Sequence, residues 1–345
     1  MAYVGSYSYT GKAKGITVYD VDVEAGKFIY RCEVEVDNSS YLKASQNGRI
    51  LYSIADEGVV AFRVLSNGSL ARLNSANIRG MRGCHLSTSK ADDYIFISGF
   101  HDGKITVLNL NKDGSVGQIA DGVFHKGLGS VAERSFRPHV SCSRLTPDER
   151  FLMVADLGID QIKVYRFDHK DGKITLVDTI RCELESAPKY FMFSSDGRFF
   201  YVLYELKNMI EVYSYKEGER VPIMEKIQTI PSTGSKPNQL TAACAMHLSP
   251  DEKHLFCSNA GDNTVSMYDR DDETGMLTLR FCLPISGDYP KCITILPDNK
   301  TLVSLNHDSN EIRTFTVDHE KKCVLMKNPP VKVDKPNSIV VHKLV

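Results

Sequence analysis

Short apolar runs alternate with turn-forming clusters along this chain, and no long segment keeps the 3.6-residue apolar period of an amphipathic helix. Val, Ile, Tyr, Phe and Thr fill the runs, which is strand composition. The pattern repeats as turn, strand, turn, strand. One copy reads Pro147-Asp148-Glu149-Arg150, FLMVADLGIDQ, IKVYRFD and a Lys170-Asp171-Gly172 turn. Related copies open at Asn47-Gly48, Ala91-Asp92-Asp93, Asp196-Gly197, Pro250-Asp251 and Pro297-Asp298, and a degenerate seventh spans residues 3–28. The strands after these turns lie near Leu51, Ile95, Leu152, Phe200, Leu255 and Leu302. A period of roughly 40–50 residues with four strands per repeat is that of a β-propeller blade. The expected fold is all-β: one seven-bladed propeller domain, residues 1–345, built of four-stranded antiparallel blades.

Each inner strand A should precede its turn, at residues 39–42, 83–86, 138–140, 188–191, 243–246 and 290–293. A seventh such element, Pro336-Asn337-Ser338-Ile339-Val340-Val341, ends the chain with no blade after it. The first copy lacks an A strand, because Tyr3 to Ser6 reads as strand B. The C-terminal strand is therefore expected to join the N-terminal blade, closing the ring and removing a sheet edge. The segments 125–137 and 232–241 break the rhythm and enlarge the connections into two A strands. Long loops on a rigid scaffold often carry function.

Composition narrows the function classes. With 42 basic and 43 acidic residues the net charge is -1, so no global field draws nucleic acid or anionic membrane. No run approaches the ~20 apolar residues of a membrane span. MAYVGSYSYT lacks the basic start and apolar run of a signal peptide. Nine singly scattered cysteines, with no CxxC pair, read as reduced core residues. A cytoplasmic location is expected, as a monomer or weak homo-oligomer. The spacing of His85, His139 and His247 fits no metal motif, and no cofactor is expected. The absence of tryptophan argues against propellers of the protein-binding WD type.

Candidate chemistry comes from topology. Strands A and B run antiparallel, so the start of each A and the end of each following B share one mouth of the central channel. His139, Lys189, Lys291 and His85 are expected there, with Asp156, Glu205, Asn259 and Asn306 from the B-strand ends. Asp156 also suits a cap on the Asp-Leu-Gly turn. Such a cluster either handles an anionic substrate and its proton or forms a structural ring of ion pairs.

The strings YVGSYSYTGKAKGITVY, RPHVSCSRLTPDERFLMVADLGIDQIKVYRFD, APKYFMFSSDGRFFYVLYEL and LSPDEKHLFCSNAGDNTVSMY resemble the seven-bladed propeller lactonases. That family includes propeller-type 6-phosphogluconolactonases and carboxy-cis,cis-muconate lactonizing enzymes. VADLGIDQIKVYRFD is the most specific stretch. The resemblance implies that the family histidine of its Pro-His motif is His139. The family arginine of Gly-Pro-Arg-His becomes Lys189, followed by Tyr190, and the glutamate of Asn-Glu-Leu becomes Glu205. A second family histidine is replaced by Ser141, a second arginine by Ala260 and a further glutamate by Ala245. Lys291 stands where the family often has arginine, and Arg82, Arg134 and Arg137 lie near A-strand starts.

The resemblance implies a small anionic sugar lactone as partner and hydrolysis as the reaction. His139 is the expected base, Glu205 orients it or acts as base itself, and Lys189 holds a phosphate or the developing oxyanion. Lys291, His85, Arg137 and Asn259 are the expected substrate-binding residues. Two other readings remain open: a non-catalytic propeller that binds an anionic metabolite, and a muconate cycloisomerase-like lyase.

Overall fold

The computed structural model describes residues 1–130, 136–234 and 240–343. Seven antiparallel sheets, each with four sequentially paired strands, are arranged as the blades of a propeller. Blade 1 takes its inner strand from the C-terminus: Pro336–Val341 pairs with Ala2–Ser6, followed by Gly15–Asp22 and Lys27–Glu35. Ala2 faces Val341 and Val4 faces Ile339, and the N-terminal ammonium donates to the His342 carbonyl at 2.8 Å. The expected closure is therefore present. Inner strands A of blades 2 to 7 are Leu42–Ala44, His85–Thr88, Val140–Leu145, Pro188–Phe193, Ala242–Leu248 and Pro290–Ile295. A short strand, Val331–Lys332, adds to the outer part of blade 7.

Strand B is apolar and wholly buried in its purest copies, Phe151–Asp156 and Phe199–Tyr204. Neighbouring blades cover both of its faces, so there is no solvent side to alternate toward. The outer strands do alternate, as in Ile223–Pro231. The cores accordingly lie in the seams between blades; one joins Phe151, Met153 and Val164 of blade 4 to Phe191, Phe200 and Val202 of blade 5. The repeating turns work through an aspartate three residues before the next strand. Thr146, Ser194 and Ser249 hydroxyls donate to Asp148, Asp196 and Asp251, whose carboxylates also accept backbone N–H groups.

One irregularity recurs on the channel side. The A–B register shifts around residues 141, 189, 244, 291 and 337, each time at the start of strand A. The extra residue of such a bulge has no ladder partner and its side chain is re-aimed. Ser141, Lys189, Cys244, Lys291 and Asn337 all line the central channel.

Candidate active site

The channel encloses a cavity of about 890 Å³. Its upper wall is the bulge ring, topped by the loops that lead into the A strands.

Lys189 and Glu205 meet at this level. The ammonium donates to Glu205 Oε2 at 2.5 Å, with the carboxylate almost wholly buried. Burial works against the charged amine, but the Glu205 carboxylate outweighs it and the Lys189 pKa is raised. Lys189 thus stays a cation. Lys291, two blades on, donates to Asn337 Oδ1 at 2.7 Å and lies over the Tyr7 ring. Its pKa falls to about 8, first through burial and then through Lys189.

His139 is held from several sides. Its Nδ1 lies 2.6 Å from the Phe100 carbonyl, which can only accept, so Nδ1 carries the proton and Nε2 the lone pair. The imidazole stacks on the Phe100 ring at 4.4 Å. Its backbone N–H donates to Asp156 Oδ1 at 2.8 Å, and its carbonyl accepts from Leu157 N–H. Asp156 also caps the 3-10 turn Leu157–Ile159 through Gly158 N–H, and takes a further bond from the buried His125 ring at 2.7 Å. Asp160 ends that turn with φ 51°, and its carboxylate accepts from Glu185 and Ala187 N–H. The Asp-Leu-Gly-Ile-Asp run therefore positions His139 at one end and the loop into Lys189 at the other.

The cysteines of this level are not nucleophiles. Burial raises the Cys244 thiol despite the nearby Lys189 charge, and pushes Cys84 up to about 12. All nine cysteines are free. Among the described residues, no group of three His, Cys, Asp or Glu side chains forms a metal set.

The seven-bladed β-propeller lactonase family model matches residues 1–341. This chain belongs to that family. It is 26% identical over 342 residues to a 6-phosphogluconolactonase of Bacillus subtilis, covering 97% of this chain and 96% of the relative. A Formosa agariphila 6-phosphogluconolactonase is also 26% identical, over 92% of both chains. A crystal structure of a candidate 6-phosphogluconolactonase from Bacteroides fragilis superposes with a TM-score of 0.89 at 29% identity, covering 98% and 96% of the two chains. The periplasmic gluconolactonase of Pseudomonas aeruginosa shares the fold, with a TM-score of 0.91 at 24% identity over 98% of each chain.

Among the residues expected from the family pattern, His139, Lys189, Glu205, Lys291, Arg82 and Arg137 all line the one cavity. Arg137 is exposed at the rim, its guanidinium over Phe136, and Arg82 pairs with Asp56 at 2.7 Å. Arg134 lies outside the described residues. His85 lies on the cavity wall as expected, whereas Asn259, Asp156 and Asn306 do not reach it. His85 touches the cavity wall but is 1% exposed, packed on Tyr41 and taking Ser143 N–H on Nδ1. Burial drives its pKa well down, so it is a neutral residue of the cavity wall. Asn259 does not line the cavity; it is fully buried and spends its amide on Ser232 and Thr264. Asp156 and Asn306, like Asn259, end strands that lie one position out from the axis, so their side chains fill the seams and only Glu205 reaches the channel. Glu205 is bonded to Lys189, while the Phe100 carbonyl orients the His139 ring.

Several wall residues escaped the sequence reading: Tyr7, Lys43, Phe100 and Arg144, and His247 was weighed there only for a metal. For Arg144 a signal existed, a lone charged residue inside the strand VSCSRL. Phe100 contributes its backbone carbonyl, which sequence does not mark.

Proposed function

We propose that this protein hydrolyses a sugar lactone of the 6-phosphogluconolactone type, with His139 as base and Lys189 as electrophile. The observation that carries this reading is the fixed tautomer of His139, whose basic Nε2 shares one cavity with a permanently charged lysine. Nε2 takes a proton from water as the water oxygen bonds to the lactone carbonyl carbon. Lys189 has three N–H bonds and gives one to Glu205; another meets the developing oxyanion. The ring C–O bond then breaks, and the imidazolium returns its proton to the leaving alkoxide. Glu205 positions Lys189 and keeps it charged. Lys291 and Arg137 receive the anionic end of the substrate. The free cysteines suit a reducing compartment, in line with a cytoplasmic site of action.

A second reading, a propeller that binds the metabolite without turning it over, is favoured by Ala245 and Ala260, where the family pattern has a glutamate and an arginine. Freshly prepared 6-phosphogluconolactone decides between the two. A rate above the spontaneous one that falls by roughly 10²–10⁴ in His139→Ala and also drops in Glu205→Ala supports hydrolysis. Equal rates in wild type and both variants, with ligand-induced thermal stabilisation, would leave only the binder.

A further inference from the structure

The bulge ring accounts for only part of the charge in the channel. Lys43, Arg144, His247 and Thr294 pair with Tyr52, Met153, Phe256 and Val303. Each partner is the third residue of its B strand, so the four side chains stand at one height, below the ring and in the same cavity. Arg144 Nη2 donates to the Tyr190 hydroxyl, and the guanidinium lies 5.2 Å from the centre of that ring. Arg144 Nε is buried without an acceptor. Neither Arg144 nor Lys43 has an ion-pair partner among the described residues. His247 adds no competing negative group: its Nδ1 donates to the Leu248 carbonyl at 2.6 Å, and Nε2 lies 3.3 Å from the Thr294 hydroxyl.

Burial lowers Lys43 to about 8, with Arg144 as the next cause and the Asp92 carboxylate acting the other way without forming an ion pair, so the two cations feel each other. Two like charges in a confined channel, with an unanswered guanidinium N–H, are costly unless an anion joins them. A planar guanidinium and an ammonium, two blades apart on the wall of one cavity, together offer the donors and positive charge that match the oxygens and double charge of a phosphate group.

We infer that the channel floor is a second anion site, in which Arg144 and Lys43 hold a phosphate-class oxyanion. The occupant is either free phosphate or the phosphoryl end of a sugar phosphate, and the site stands whether or not the mouth hydrolyses lactones. Isothermal titration of the full-length protein with inorganic phosphate at neutral pH tests it. Saturable binding is expected, weakened at least about tenfold in Arg144→Met and clearly weakened in Lys43→Gln, but kept in Lys321→Gln, which removes an exposed cation outside the channel. If Arg144→Met fails to fold, Lys43→Gln carries the same comparison. No saturable heat at tens of millimolar phosphate, or equal affinity in wild type and the floor variants, overturns the inference. The source follows from 6-phosphogluconate: competition with phosphate in an Arg144-dependent manner assigns the floor to sugar phosphates, and Arg144-dependent phosphate binding without competition assigns it to the free anion.

Discussion

Single side chains carry the chemistry, and their surroundings make its pH dependence predictable. Lys189 stays charged through Glu205, whereas Lys291 loses its proton near pH 8. Inhibition by 6-phosphogluconate should therefore weaken as pH rises through about 8, because the mouth loses a positive charge. In Lys291→Gln this step should flatten; an unchanged profile would exclude Lys291 from the binding site. Lys189→Met should lower kcat by roughly 10²–10³ with a smaller change in KM, since its proposed contact is made only to the oxyanion. A pure KM effect would instead make Lys189 a substrate anchor. His307 titrates in the opposite sense to a stabilising cation. Burial and then Lys291 hold it at about 4, against an unfolded value of 6.5. Its contribution is complete above pH 6.5 and is lost as pH falls toward 4, on the order of 3 kcal/mol in all. Melting curves between pH 7 and 4.5 should show a shallower decline in His307→Gln.

At the scale of elements, the bulged starts of the A strands and the 3-10 turn decide which side chains face the channel. Gly158 shows how tightly the turn is set. A Cβ there would come within 1.8 Å of the Arg137 carbonyl and 2.7 Å of His139 Cδ2. Gly158→Ala should therefore displace the imidazole and cost at least about tenfold in kcat, with a stability loss within the usual 0.5–3 kcal/mol range of single substitutions. Steady-state kinetics beside a denaturant melt checks this; full activity would show that His139 tolerates the shift or takes no part. The turns and strand order were legible because Asp, Gly and Pro mark turns through local backbone demands. The bulges were not, since a one-residue register shift leaves no compositional trace. That is why Lys189 and Lys291 could be placed at the mouth from strand polarity alone, while Asn259 was given to the substrate and lies buried away from the cavity.

Across the whole molecule, blade 1 depends on a strand contributed more than three hundred residues later. Removing residues 336–345 takes away the inner strand of blade 1 and part of the seam shared with blade 7, where Ala2, Val4, Leu305 and Ile312 pack. The truncated chain should melt well below the full-length protein, with hydrogen exchange lost first in Ala2–Ser6 and Gly15–Asp22. Equal melting temperatures would mean that the ring holds without this closure.

The chain by itself determined the repeat, the all-β class, the seven blades and the closure, because strand periodicity and turn chemistry are local and were written seven times. It also marked His139, Lys189 and Glu205 through their motifs. Only the tertiary structure decided which polar residues share the channel, which carbonyl sets the His139 tautomer, and that Arg144 and Lys43 stand at one height with no ion pair among the described residues. Those facts depend on register and on approach between blades distant in sequence, and neither is encoded in any single repeat.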